Sequence, residues 1–319
     1  MDRGEGVLVA EAIGAPPVDI DAAPASKGVA RRRAGRLGRV AFVGFVFLIL
    51  YGPLALLVMF SFNNSSIIAL PWAGFTTKWY SQAFANGQLR SAVINSVVVA
   101  FIVAPLCLVL GTLTAFGLTR FRFRSRAMIG GLVGAPLILP WLVIGIAALL
   151  FYSSVQRLVL RVGLPNVFHL GLPTVVATQV ICTFPLVTAI VSAQLFRFEK
   201  TQEEAAVDMG ASRLQVLRYV ILPHIAPALA AAAIFAFTWS FNNFEISFFT
   251  IGFQQTFPTW VYGTVRNVEH TAIVNSASTL ISAIQVVMIY GALRLMRIRG
   301  GGVAGFAAIT PTDTEKVVV

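Results

Sequence analysis

The sequence predicts an all-α, polytopic membrane protein with six transmembrane helices. Three observations carry that prediction. The 319-residue chain is 57% hydrophobic and only 12% charged, whereas a soluble domain carries about 25% charged residues. It contains six apolar runs near or above the roughly 20 residues that span a bilayer. Between Ala22 and Phe198 there is no Asp or Glu. The basic residues in that interval therefore have no acidic neighbours in sequence and read as topology signals rather than as ion pairs.

The elements follow in order. Residues 1–38 are rich in Ala, Gly, Pro and charge and are expected to be disordered. The transmembrane region is expected over 39–299, with spans at about 40–61, 92–118, 128–152, 173–196, 225–252 and 272–296. The first run follows a basic stretch but has no clear cleavage site and is long enough to stay as an anchor. Pro136 and Pro140 in the third span and Pro185 in the fourth predict kinks, tolerated where neighbours satisfy the freed carbonyls. A polar tail over 300–319 closes the chain. No internal repeat is visible.

Charge sets the orientation. Nineteen of the 24 Lys and Arg residues fall on one side: the N-terminal segment, Arg120 to Arg126, Arg197 to Arg218, and the C-terminal end. Lys78, Arg90, Arg157, Arg161 and Arg266 fall on the other. This bias predicts a multi-pass membrane protein with both termini in the cytoplasm. The net charge of +11 is thereby explained without a nucleic-acid partner. Cys107 and Cys182 lie inside apolar runs and read as small buried hydrophobes, not as a metal site or a disulfide framework.

The cytoplasmic stretch at about 197–223 departs from this apolar plan. Glu203, Glu204 and Asp208, three of the chain's thirteen acids, lie within six residues. Thr201 with Glu204, and Ser212 with Gln215, have capping-box spacing. Gly210 lies between them, where a helix ends in a left-handed residue. A short helix at about 202–209, a turn at Gly210 and a second helix at about 213–221 are expected. Pro223 either stops that second helix or starts the next. Ala205 and Ala206 give the first helix a small-residue surface. An ordinary solvated hairpin is the plain alternative to a docking element.

Glu204-Ala205-Ala206, three residues, Gly210, nine residues, Val220, one residue and Leu222-Pro223 resembles the EAA loop of ABC-importer permeases, which usually has Ile at the position of Val220. The resemblance implies the type I ABC importer permease architecture. It implies that Glu204, Ala205, Ala206, Asp208, Gly210, Leu222 and Pro223 form a coupling element gripped by a separate ATP-binding subunit. It also implies a homologous partner permease, two copies of the ATP-binding subunit and an extracytoplasmic solute-binding protein. ATP and Mg²⁺ would be held by the partner, with no cofactor on this chain. In agreement, the sequence has no G-x-x-x-x-G-K-[ST] phosphate loop. Ser61 to Ser65, Gly74 to Tyr80 and Arg120 to Arg124 are similar to the second permease subunit of spermidine/putrescine importers, which implies a small amine as solute.

The fifth span carries Trp239, Phe241, Asn242, Asn243 and Glu245 as candidates for the solute path. Glu245 is the one acid inside an expected span, and a carboxylate at membrane depth needs a partner, a wet cavity or a solute. Trp239 and Phe241 offer cation–π faces. The alternative is an interfacial carboxylate touching water or Arg266. Polyamine permeases often carry acids where this chain has Asn242 and Asn243, and amides suit a zwitterionic or polyhydroxylated solute as well. An enzyme is disfavoured: His169, His224 and His270 are scattered, and neither H-E-x-x-H nor G-x-S-x-G is present. A self-contained secondary transporter is disfavoured by the missing repeat.

Overall fold

A computed structural model describes residues 25–65, 72–121, 123–163, 169–266 and 271–298. Among the described residues the regular structure is helical, with one isolated antiparallel bridge between Asn63 and Phe75. Among the described residues six helices are long and apolar enough to cross a membrane: Gly38–Ser61, Gly87–Arg120, Trp141–Arg161, Leu172–Arg197, Arg213–Phe241 and Thr271–Arg294. The chain divides into two compact units, one up to Leu57 and the other from Val58 onward.

Helix α1 (Ala25–Ser61) starts well before the expected boundary at residue 39. Ala30, Arg31, Arg32, Arg33, Ala34, Arg36 and Leu37 are good helix formers whatever their charge. Residues 1–24 and the tail over 300–319 lie outside the described residues.

In the second unit, Ser61 to Asn64 and Gly74 to Tyr80 build one another's support. The Trp79 indole donates to the Asn63 carbonyl at 2.8 Å, the Ala73 N–H donates to Asn63 Oδ1 at 2.9 Å, and the Tyr80 and Ser61 hydroxyls lie 2.7 Å apart. Helix α2 (Lys78–Ala85) follows. Asn86 then caps α3 (Gly87–Arg120), accepting from the Leu89 N–H at 2.9 Å.

The third span corrects the sequence reading. Instead of one kinked helix over 128–152, α4 (Arg126–Gly134) passes into a 3₁₀ turn at Ala135–Leu137, and α5 (Trp141–Arg161) starts afresh after Pro140. Proline removes a donor and pushes the preceding residue out of the α region. Two prolines four residues apart leave too little helix between them to continue. Pro185, by contrast, sits inside an uninterrupted α6 (Leu172–Arg197).

Helix α6 is the most buried span. It crosses α3 at Gly111, where a Cβ would lie 2.7 Å from Val187 Cγ1. Val99, Val103, Cys107 and Ala115 of α3 pack with Val175, Val187, Val191 and Leu195 of α6. Both cysteines are fully buried, as expected. Small and β-branched side chains let the helices approach closely, the main source of cohesion between helices that lipid solvates equally well.

The chain continues through α7 (Lys200–Asp208), α8 (Arg213–Val216), a π turn at Leu217–Ile221 and α9 (Leu222–Phe241). Helix α10 (Glu245–Thr250), α11 (Phe257–Val265) and α12 (Thr271–Ile298) complete it. A second core gathers Leu89, Ala92, Phe241, Phe257, Trp260 and Val274.

Candidate coupling loop and solute site

Two places gather the residues singled out by the sequence. The first is the polar loop. Helix α7 begins at Lys200 with Glu199 as its cap residue, so the expected Thr201–Glu204 capping box is not formed. Phe198 and Glu199 are already extended, and the helix starts two residues earlier than the hydroxyl-based reading required. The second box is formed: the Ser212 N–H donates to Gln215 Oε1 at 2.7 Å, and the Gln215 N–H donates to Ser212 Oγ at 3.4 Å. Gly210 has φ +87°, the left-handed turn that its place after a helix demanded.

Of the two roles expected for Pro223 the structure shows the second: it stands in the first turn of α9 and does not end a helix. Arg213 to Phe241 is continuous, and the strain falls on the π turn, where the Leu222 N–H reaches the Leu217 carbonyl five residues back. An i→i+5 turn absorbs one extra residue just before the proline ring, where an ordinary α turn would clash.

Helix α7 has two faces. Glu203 and Ala206, three residues apart, turn inward. Ala206 is buried in the main core. Glu203 forms an ion pair with Arg120 at the end of α3, and the two side chains are 23% and 14% exposed. This corrects the reading of the basic residues as topology signals alone, since 83 positions separate the partners and no local pattern reveals the pair. The Arg120 guanidinium also lies 5.7 Å from the centre of the Phe198 ring. Glu204, Ala205 and Asp208 are exposed on the other face. Around them stand exposed apolar side chains: Val207 at 52%, Leu214 at 72% and Met209 at 83%. A cleft of about 550 Å³ runs between α7 and α3, lined in part by Arg120, Glu203, Glu204, Asp208 and Arg213. Leu222 is at the margin of exposure.

The second place is the end of the fifth span. The expected helix over 225–252 breaks after Phe241, so Glu245 is not inside a span but opens the short helix α10. The two asparagines cause the break. Asn242 Nδ2 donates to the Thr238 carbonyl at 3.0 Å, and Asn243 Oδ1 accepts from the Ile246 N–H at 3.1 Å. Asparagine thus offers the backbone an alternative to continuing the helix. The break is braced from α6: buried Gln179 accepts from the Ser240 hydroxyl, and its Nε2 donates to Ser247 Oγ at 3.1 Å. Gln179 therefore ties the last turn of α9 to the first turns of α10.

This break opens a cavity of about 370 Å³ lined by Trp141, Phe235, Thr238, Trp239, Asn242, Asn243 and Glu245. Trp141 and Trp239 meet edge to face at 5.2 Å, and Phe235 stacks on Trp239 at 5.4 Å. Four of the five expected path residues come together here. Phe241 does not, since its ring is buried in the second core against Phe257 and Phe237. Trp141 was missed, and only the third-span break at Pro140 signals it, because that break puts Trp141 at a helix start. Arg266, the alternative partner for Glu245, lies over the Tyr262 ring. Gly145 of α5 seats the site, since a Cβ there would lie 2.8 Å from the Glu245 carbonyl oxygen. One carboxylate, two amides and three aromatic rings can receive an ammonium group by charge, hydrogen bond and ring face together.

Comparison with known proteins places this chain in a family. Residues 107–299 match the model of the binding-protein-dependent transport system inner membrane component. The chain is 31% identical over 272 residues to the spermidine/putrescine transport system permease protein PotC of Escherichia coli (strain K12), covering 85% of this chain and 98% of that one. It is 32% identical over 250 residues to the putrescine transport system permease protein PotI of the same strain, covering 78% and 86%. In fold it is similar to a chain of the bacterial alginate ABC transporter solved in complex with alginate pentasaccharide-bound periplasmic protein. That match has a TM-score of 0.70 at 16% identity and covers 86% of this chain and 98% of that one. The six spans and these matches agree, and the chain belongs to the binding-protein-dependent inner-membrane component family as a permease subunit of an ABC importer.

Proposed function

We propose that this permease subunit forms, with a homologous partner permease, an alternating-access path for a small cationic amine of the polyamine class, and that Glu245 with Trp141, Trp239 and Phe235 makes the ammonium contact. The observation that carries the reading is the shared cavity of about 370 Å³, which holds a carboxylate beside three aromatic rings. The solutes in the names of PotC and PotI support the same class. The exposed Glu204, Ala205 and Asp208, ringed by exposed apolar side chains, support docking of an ATP-binding subunit, since contiguous exposed apolar groups mark interaction sites. Two copies of that subunit supply ATP, Mg²⁺ and the driving force. A solute-binding protein delivers the amine at the opposite face. Both termini are cytoplasmic, and this chain carries out no covalent chemistry.

One observation favours a second reading. Asn242 and Gln285 exchange amide contacts at 3.3 and 3.4 Å, a donor–acceptor pair suited to a zwitterionic amino-acid derivative or a polyol. Uptake by the complete importer in proteoliposomes separates the two. Glu245→Gln keeps shape and hydrogen bonding and removes the charge. It is expected to slow putrescine uptake roughly tenfold, the scale of one charge-assisted contact, with complex assembly and ATP hydrolysis retained. Equal putrescine uptake by wild type and variant across concentrations removes Glu245 from the path. Uptake of a polyol but not of putrescine favours the amide reading.

A further inference from the structure

Helix α7 is joined to the membrane helices by two non-helical links. Phe198 and Glu199 are extended on one side, and the Gly210 turn lies on the other. The covalent chain alone therefore leaves its orientation free. Its inward face holds it instead, through Ala206 in the core and Glu203 on Arg120. Arg120 is the last residue of α3. At 34 residues, α3 is about 50 Å long, and its other end binds the opposite side of the unit. There Asn95 Nδ2 donates to the Gln255 carbonyl at 2.8 Å, and Ser96 Oγ accepts from the Phe257 N–H at 2.8 Å. In between, the Gly111 crossing fixes α3 against α6. The Arg120 side chain, carried on the last residue of α3, meets two partners at once: the Phe198 ring at the α6–α7 junction and the Glu203 carboxylate. Partial burial keeps solvent and salt from screening the pair as they screen a surface ion pair.

We propose that Arg120 is a positioning residue that clamps the coupling helix α7 to the end of α3, so that α3 and α7 move as one body when the importer switches. The proposal rests on α7 being the docking element of the ATP-binding subunit. Rigid connection matters because a push on a freely hinged helix is lost in the hinge, while a push on a clamped one reaches the far end of α3.

The test uses the full importer in nanodiscs, with Cys107 and Cys182 replaced by Ala. Spin labels are placed at two exposed positions, Gln202 on α7 and Leu113 on α3. The wild-type pair is expected to give one narrow distance distribution that does not move on adding ATP. Arg120→Gln is expected to broaden or shift it. Putrescine uptake then falls about threefold to tenfold per ATP hydrolysed, the scale of altered coupling, while ATP hydrolysis stays within about twofold. The double exchange Arg120→Glu with Glu203→Arg is expected to restore the narrow distribution, which a merely structural loss does not. If Arg120→Gln fails to assemble, the isosteric Glu203→Gln is read in its place. A variant distribution as narrow as wild type, or a wild-type distance that changes with ATP, overturns the clamp. Failure of the ATP-binding subunit to co-purify counts against the docking reading instead, and the distances are then still measured on the permease pair.

Discussion

Gly145 shows how one side chain, or its absence, sets the proposed solute site. Helix α5 approaches α10 so closely that a Cβ on Gly145 would lie 2.8 Å from the Glu245 carbonyl oxygen and 2.9 Å from Phe249 Cδ2. The first of these is backbone and cannot swing aside. Gly145→Ala must therefore move α10, and with it the Glu245 carboxylate, away from the Trp141 and Trp239 rings. The expected result is a raised KM for putrescine uptake and a loss of about 1–3 kcal/mol in stability, the usual cost of overpacking. Gly131→Ala is the control, because nothing lies within 4 Å of the added carbon. Kinetics and thermal unfolding in detergent check both variants, and equal behaviour of the two removes Gly145 from the site. Glu245 was legible in the sequence because an acid among apolar residues is conspicuous. Gly145 was not, since its meaning lies in a contact 100 residues away. Phe241 misled for the converse reason: an aromatic two residues after Trp239 looks equivalent in a list, but the helix turns it about 200° away, into the second core.

At the scale of elements, breaks matter more than spans. Hydropathy found six runs because apolar length is additive along the chain, but it merged α9 with α10 and α4 with α5. Asn242, Asn243, Pro136 and Pro140 interrupt the backbone without making the window polar. Both breaks feed the same cavity, through Trp141 on one side and Glu245 on the other. The α7–α8 turn was read correctly because its signals are local: Gly210 after the helix and Ser212 with Gln215 three residues on. Gly210 has φ +87° with open space around its missing Cβ, so substitution acts by strain and not by collision. Gly210→Val places a β-branched residue in the left-handed region, at a local cost of about 1–3 kcal/mol. The turn is expected to rearrange and α7 to lose its seat, so that the ATP-binding subunit no longer co-purifies while the six spans still insert. Survival of both assembly and uptake in this variant would remove the coupling role of the loop.

For the whole molecule, the contacts decide which features share a side, and the charges decide which side that is. Arg120 meets Glu203, so the end of α3 and the proposed coupling helix α7 lie on the same side of the second unit. Ser96 meets Phe257 and Asn95 meets Gln255, so the start of α3 is on the other face, with the α10–α11 connection. This arrangement holds whichever way the protein is inserted. The excess of Lys and Arg near the Arg120 end of these spans is the ground on which we propose that this face is cytoplasmic. Cysteine labelling in intact cells tests the assignment, with Cys107 and Cys182 first replaced by Ala. Ser125, exposed at the start of α4, reports on the Arg120 face. Asn86 is a poor reporter for the other face because it caps α3, and losing such a cap costs about 1 kcal/mol. Gln88, exposed in the first turn of α3, reports on the same face without that loss. A cysteine at Gln88 is expected to react with an impermeant maleimide in intact cells, and one at Ser125 only after the membrane is opened. The reverse pattern would invert the protein and place the EAA loop outside, out of reach of any ATP-binding subunit. The labelling result therefore tests the coupling role as well as the topology.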